Sequence, residues 1–192
     1  TTAPATAPVS IPEAKIHLRV DNSEEDKFIG GLIDAATAHF DGLGVLGRAI
    51  ITQTWAEWIP SSPRDVVLPI GPFQSLTSVE YYDDAGTLQA DTAGNYEVLL
   101  TGDCVTVRPK AGNVWPSAAT RPDAIKITYV AGYGDAGADV PESIRQAILL
   151  TVGHWYENRE AVSDVKMHDV PLAVNALIGV ERVNWYGETG PT

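Results

Sequence analysis

The segment from Val140 to Glu160 constrains the fold of this chain most strongly, because its pattern is that of one long amphipathic helix. Pro141 suits the first helical turn, where its missing N–H leaves no hydrogen bond unmade. Glu142 places negative charge at the positive end of the helix dipole, and Arg159 places positive charge near the other end. The residues that recur at helical spacing form one face: Ile144, Ala147, Ile148, Thr151, Val152 and Trp155. A core is expected to form against this face.

Two shorter helices are predicted near the N-terminus. The first runs over about 12–20, with Ser10 before it, and the second follows a turn at 21–23 and ends near Phe40. We expect Ser23 to cap the second helix. Its expected buried stripe is Phe28, Ile29, Leu32, Ile33, Ala36 and Phe40. The glycines that end this element are Gly42, Gly44 and Gly47.

The apolar pattern changes to a period of two between residues 49 and 134, which predicts short strands. The turn at 83–86 predicts a hairpin, with Gly86 at a position suited to positive φ. The candidate strands are Ile50–Ile59, Asp65–Leu68, Ser75–Tyr82, Tyr96–Leu99, Cys104–Arg108 and Ala124–Ala131. Their lengths and turns favour a small antiparallel sheet, barrel or sandwich.

The predicted fold class is therefore α+β. It consists of a small helical bundle, built from two N-terminal helices and one long C-terminal helix, with an inserted antiparallel β-subdomain. The predicted parts are a flexible N-terminal arm (1–10), the N-terminal helices (11–48), the β-subdomain (49–139), the C-terminal helices (140–179) and a tail (180–192). A short helix is expected at Pro171–Ile178 within the fourth part.

Charge and composition exclude several classes of function. The formal net charge is −12, and each third of the chain is acidic. Tight binding to a phosphate backbone needs clustered Lys and Arg, which the sequence lacks. Apolar runs stay far below the roughly 18 residues of a membrane span. Cys104 is the only cysteine, so no intrachain disulfide forms, and its alternating flanks Val105 and Val107 predict a buried structural thiol.

Signals for catalysis are weak. His154 and Glu157 stand three residues apart on the long helix, a spacing that metal ligands use, but no second such pair exists. The adjacent carboxylates Asp83 and Asp84 are better explained by the hairpin turn. We expect no metal, no cofactor and no enzymatic activity. Trp55 and Trp58 lie three apart on one strand, so alternation puts them on opposite faces.

Several segments resemble, in the same order, the head–tail connector (adaptor) proteins of tailed phages and gene transfer agents. Residues 140–150 and 154–160 resemble the C-terminal helix of that family. Residues 12–20 resemble its opening helix, and residues 48–55 resemble the entry to its β insertion. Further pieces are Leu68–Pro69, 74–79 and 129–134. The resemblance covers roughly residues 8–180, and the stretch 42–47 departs from it by its glycine content.

The resemblance implies a structural role in the virion, with assembly in the bacterial cytoplasm. Such proteins form a ring, typically a dodecamer, below the portal protein, extend the DNA channel and join the capsid to a stopper or tail-terminator protein. In solution the chain is expected to be a monomer, and DNA is expected to pass without specific binding. We assign the portal interface, as a hypothesis, to Leu172, Leu177, Val183, Trp185 and Tyr186. The hypothetical subunit interface consists of Glu157, Arg159 and Glu160.

Two alternatives from other classes stay open at this point. One is a glycan-binding β module that uses Trp55 or Trp58 as an aromatic platform. The other is a metal-dependent hydrolase that uses His154 and Glu157. A glycan-binding screen tests the first alternative, and a metal analysis of the purified protein tests the second.

Overall fold

A computed structural model describes residues 2, 4–61, 63–102, 104–158, 172–179 and 181–182. The fold is α+β, as predicted. Contacts divide the chain into two compact units. One, the strand unit, contains residues 52–132 together with 1–4, and the other, the helical unit, contains residues 5–51 and 133–192. The strands are thus inserted between two parts of a helical unit.

The described residues of the helical unit form four α-helices. They are α1 (Ile11–Leu18), α2 (Asp26–Phe40), α3 (Glu142–Glu157) and α4 (Leu172–Ile178). Helix α1 begins with a capping box, in which the Ser10 hydroxyl accepts from the Glu13 N–H (3.3 Å) and the Glu13 carboxylate accepts from the Ser10 N–H (3.4 Å). Helix α2 differs from our expectation. Ser23 contributes its carbonyl to the Asp26 N–H rather than a hydroxyl cap.

The predicted stripe of α3 is the centre of the helical core. Its residues from Ile144 to Val152 are buried, and Trp155 is partly buried against the same cluster. From α2, the cluster receives Ile29, Ile33, Ala36 and Phe40. Phe28, which we placed in that stripe, is exposed, because the buried positions of α2 follow a narrower line. The expected packing of α3 on the N-terminal helices is confirmed.

Residues 5–10 are packed more firmly than the expected flexible arm. Val9 is only 1% exposed and belongs to the helical core. The Thr6 hydroxyl donates to the carbonyl of Asp135 (2.7 Å). Ser10 then caps α1, so this segment enters the unit as ordered chain.

In the part of the strand unit that the structure describes, the strands form two antiparallel sheets. The strands are β1 (Gln53–Ile59), β2 (Val66–Leu68), β3 (Phe73–Tyr82), β4 (Leu88–Asp91), β5 (Tyr96–Thr101), β6 (Cys104–Pro109) and β7 (Ile125–Ala131). Their orders are β1-β7-β3-β4 and β2-β6-β5. Alternate residues of β7 are buried, which makes this central strand the main contributor to the core. Strand β4 was not predicted from the sequence.

The hairpin between β3 and β4 has the expected geometry, because Gly86 adopts φ of 76°. The prediction of a buried Cys104 is wrong: this thiol is exposed. Val105 and Val107 are the buried positions of β6, so Cys104 lies one residue out of phase and faces the other side. The alternation that we used to bury the cysteine is the reason that it is exposed.

Candidate interaction surfaces

The C-terminal end of α3 carries the residues that suggested both a metal site and a subunit interface. His154 Nδ1 lies 3.4 Å from Asn158 Nδ2, and Glu157 is exposed to solvent. Within the described residues, no group of three or more His, Cys, Asp or Glu side chains could hold a metal ion. Within these residues, His154 and Glu157 therefore do not belong to a cluster of metal ligands. Arg159 and Glu160 lie outside the described residues.

The same end of α3 is held against the start of α2. The Tyr156 hydroxyl donates to the Glu25 carboxylate, and the rings of Phe28 and Tyr156 are 6.1 Å apart between centroids. Trp155 makes an edge contact with His39, a residue of α2. The end of α3 is thus held against α2 at both aromatic residues.

Helix α4 is docked on the helical core, and its end is held by one carboxylate. Val174 and Ile178 are buried in the core cluster. After the helix, the two carboxylate oxygens of Glu181 accept hydrogen bonds from the Tyr133 hydroxyl (3.2 Å) and the Ser143 hydroxyl (3.1 Å). The backbone carbonyl of Glu181 accepts from Arg48 Nε (2.5 Å). We call these four residues the Glu181 anchor.

The Glu181 anchor determines where the C-terminal tail begins. Of the residues assigned to a portal interface, Leu177 is partly buried against the core, and Leu172 is the first residue of α4. Val183, Trp185 and Tyr186 lie outside the described residues. The sequence did not predict the anchor, because the hydrogen-bond partners of Glu181 are 38 to 133 residues away along the chain.

The two tryptophans of β1 lie on opposite faces, as alternation requires. Trp58 is 40% exposed, and its ring stacks beside that of Tyr82, with 6.0 Å between centroids. The Lys126 ammonium lies 5.6 Å from the Trp58 ring, and the Arg121 guanidinium lies 3.9 Å from the Tyr82 ring. Trp55 is partly buried. We call this cluster of Trp58, Tyr82, Lys126 and Arg121 the aromatic platform; Trp58 is its exposed ring, and the other three side chains are partly buried.

Asp83 has a structural role in the hairpin. It accepts from the backbone N–H of Thr87 (2.8 Å) and from the side chain of Gln89 (2.8 Å), and these bonds lower the pKa of Asp83. The hairpin explanation of this carboxylate is thus supported. Glu57 differs, because burial raises the pKa of its carboxyl.

Among the described residues, no helix is both long enough and apolar enough to cross a bilayer.

A family model matches residues 9–71 of this chain, and its description is Phage gp6-like head-tail connector protein. The match runs from the segment before α1 into the strand unit. It includes three of the segments on which the resemblance was based: the opening helix, the entry to the β insertion and Leu68–Pro69. The predicted resemblance to head–tail connector proteins is therefore confirmed. Among curated protein sequences, no significant match was found.

Solved structures match the fold over nearly the whole chain. A chain of the neck of an empty GTA particle, computed with C6 symmetry, has a TM-score of 0.75 at 22% identity and covers 99% of this chain and 100% of its own. A chain of the virion of a native gene transfer agent particle has a TM-score of 0.74 at 23% identity, with 98% of both chains covered. A third, from the neck of a native GTA particle computed with C12 symmetry, has a TM-score of 0.69 at 20% identity, with 99% of this chain and 98% of the other covered. At these identities the likeness establishes the fold.

Proposed function

We propose that this chain is a head–tail connector protein of a phage or gene transfer agent. We further propose that it forms a ring below the portal and has no enzymatic activity. The observation that carries the proposal is the full-length match of the fold to neck proteins, together with the family model over residues 9–71. Those neck structures were computed with C6 or C12 symmetry, which supports a ring of copies. The ring would extend the DNA channel and present a surface to the stopper or tail.

We assign the rigid part of such a ring to the helical unit. One continuous cluster of buried side chains joins α1, α2, α3 and α4. The Glu181 anchor then holds the chain where the tail begins, so that the tail starts from a fixed position. We assign portal binding to this tail, with Trp185 and Tyr186 as its main contacts.

Truncation tests this assignment, and the anchor decides where the chain should be cut. A chain that ends at Gly179 also loses Glu181, so a binding defect would be mixed with a folding defect. A chain that ends at Arg182 keeps the anchor and removes only residues 183–192. We expect this truncated chain to unfold at the same denaturant concentration as the full chain and to lose binding to its cognate portal. A matched control is the full chain with Trp58→Ala, which removes an exposed tryptophan elsewhere and should keep portal binding.

Portal binding by the chain that ends at Arg182 at full strength would refute the tail assignment. Absence of any complex between the full chain and its portal, seen by electron microscopy, would refute the connector proposal itself. The double variant Trp185→Ala and Tyr186→Ala separates the aromatic contribution from that of the backbone. It should weaken binding nearly as much as the truncation does, since aromatic anchors dominate most interfaces.

The acidic charge suits a conduit for DNA. With a formal net charge of −12 and no basic cluster in the sequence, the chain would repel phosphates rather than hold them. We infer that acidic side chains line the channel. A ring structure with a neutral or basic channel wall, and the carboxylates outside, would refute this inference.

A second candidate function, glycan binding, has one specific observation in its favour. The aromatic platform pairs the exposed Trp58 ring with the Lys126–Glu80 ion pair (2.9 Å), which offers both a donor and an acceptor to sugar hydroxyls. A glycan-binding screen with the wild-type chain and Trp58→Ala tests it. Binding that is lost in Trp58→Ala and kept in Leu100→Ala, an exposed apolar control in the same unit, would support it. No binding by the wild-type chain would exclude it for the glycans screened.

A further inference from the structure

The turn after α2 has a composition that the rest of the chain does not share. Residues 42–47 read Gly-Leu-Gly-Val-Leu-Gly and carry no charge, in a chain whose formal net charge is −12. Leu43 is 77% exposed, whereas Leu46 is fully buried in the helical core. The turn therefore presents one leucine to solvent from a base that is fixed in the core. We call Leu43 with this turn the knob.

The backbone of the knob is held in one conformation. The N–H of Gly42 donates to the carbonyl of Arg48 (2.7 Å), and the N–H of Gly44 donates to that of Asp41 (2.9 Å). Gly42 and Gly47 have φ of 57° and 67°, a region that glycine adopts without strain. Leu43 is thus preorganised, and a preorganised side chain loses little entropy on binding.

A groove of about 680 Å³ lies beside α1, in the same helical unit. Its apolar lining includes Ile11, Ile16 and Val20, and Ile16 is 80% exposed. Four charged residues also line it: Lys15 and Asp26, which form an ion pair of 2.7 Å, and Arg19 and Asp21, which add one charge of each sign. An apolar side chain can therefore enter the groove without leaving an unpaired charge at Lys15 and Asp26.

We propose that the knob of one copy docks in the α1 groove of the next copy. The proposal rests on the proposed ring function. A ring needs a head-to-tail contact between two different patches of the same chain. The groove reaches Asp26 at the start of α2, and the knob follows the end of the same 15-residue helix, so about 22 Å of helix separates them. Patches at opposite ends of one helix can each engage a different neighbour.

The uncharged knob is a part of this chain that another copy can accept at low electrostatic cost. Two chains of net charge −12 repel each other, so a contact between copies costs least where one side adds no charge. The knob is uncharged from 42 to 47. A leucine side chain occupies only part of the groove, and burying it there contributes roughly one order of magnitude or more in association at each contact.

Chemical crosslinking tests the contact directly. We would replace the exposed Cys104 by serine and introduce Ile16→Cys and Leu43→Cys in one chain, then treat it with a short bis-maleimide, both as concentrated protein and after assembly with the cognate portal. A head-to-tail contact gives a ladder of covalent oligomers, because each copy carries both partners. The matched control carries Ile16→Cys and Val114→Cys, since Val114 is equally exposed but lies in the strand unit. It should give no ladder.

The outcomes separate this inference from the proposed function. Rings that form on the portal, with no more crosslinking in the Ile16–Leu43 pair than in the control, would overturn the knob-and-groove contact and leave the connector proposal standing. A ladder from a chain that fails to bind its portal would support the contact and overturn the connector proposal. No ladder in either preparation also overturns the contact.

A charge substitution gives an independent readout. In a chain without the introduced cysteines, Leu43→Asp places a carboxylate against the apolar lining of an acidic neighbour's groove and should abolish the ring. Because Leu43 is exposed, the denaturation midpoint of the monomer should stay unchanged. A Leu43→Asp chain that still forms rings with wild-type yield would overturn the proposal.

Discussion

Replacement of Gly44 by alanine should open the turn after α2. A Cβ on Gly44 would lie 2.4 Å from the carbonyl oxygen of His39 and 2.9 Å from that of Asp41. Both are backbone atoms, so they cannot rotate away as a side chain would. The carbonyl of His39 also accepts from Val45 N–H (3.0 Å), and that of Asp41 accepts from Gly44 N–H (2.9 Å). Relief of the clash therefore breaks at least one of these hydrogen bonds.

The expected loss follows from these contacts. Each lost backbone hydrogen bond costs about 1 kcal/mol, and forcing extra volume into a packed site costs about 1–3 kcal/mol. We expect Gly44→Ala to lower the free energy of unfolding by about 2–4 kcal/mol, a large part of the roughly 5–15 kcal/mol that stabilises a folded domain. Gly31→Ala is the matched control. A Cβ on Gly31 meets nothing within 4 Å, so alanine in the α2 interior should add about 1 kcal/mol.

Urea unfolding followed by circular dichroism measures both variants. Both variants replace a glycine of the helical unit by alanine, but Gly44→Ala should lower the urea midpoint and Gly31→Ala should raise it. In thermal unfolding, a chain of this size should lose roughly 4–16 °C with Gly44→Ala and gain roughly 2–4 °C with Gly31→Ala. A Gly44→Ala chain as stable as the wild type would show that the turn relaxes freely, and would refute the reasoning about the knob as well.

Three further predictions concern other sites. Glu57→Gln should stabilise the chain at neutral pH, because burial raises the folded pKa of Glu57, so the wild type loses stability as the pH rises through that pKa; the advantage should shrink at acidic pH in urea unfolding. Glu181→Ala removes the acceptor of the Tyr133 and Ser143 hydroxyls and should cost about 1–3 kcal/mol, with faster amide hydrogen exchange in α4; unchanged exchange would contradict the anchor. Cys104 should react with a maleimide in the native chain at the rate of an exposed thiol; a need for denaturant would contradict its exposure.

Patterns with a strong local period were predicted well, and features made by distant partners were not. The α3 stripe follows from spacing alone, because six apolar or small residues repeat at helical intervals. Strand β4 has no such pattern, and its pairing with β3 makes it a strand. Cys104 was misplaced by one residue of phase, and one residue is enough to change the face of a strand.

The candidate interaction surfaces divide in the same way. Exposure of Leu43 could not be read from its apolar character, because a leucine beside glycines is as compatible with a core turn as with a surface turn. Glu181 is one of many acidic residues in the sequence, and its role depends on Arg48, Tyr133 and Ser143 meeting in space. The exposure of Leu43 and the role of Glu181 both depend on the folded structure, which the local sequence pattern does not show.

The pairing of β1 with β7 has a consequence for how the chain folds. Gln53 and Ala131 are register partners, so the two ends of the strand unit lie one strand spacing apart. Bringing the ends of about 80 unfolded residues together costs roughly 4 kcal/mol in chain entropy, which the helical unit would otherwise have to overcome when α2 meets α3. Once the sheet has formed, that closure is already complete. The strand unit then shortens the effective loop between the helices that flank it, as a disulfide would.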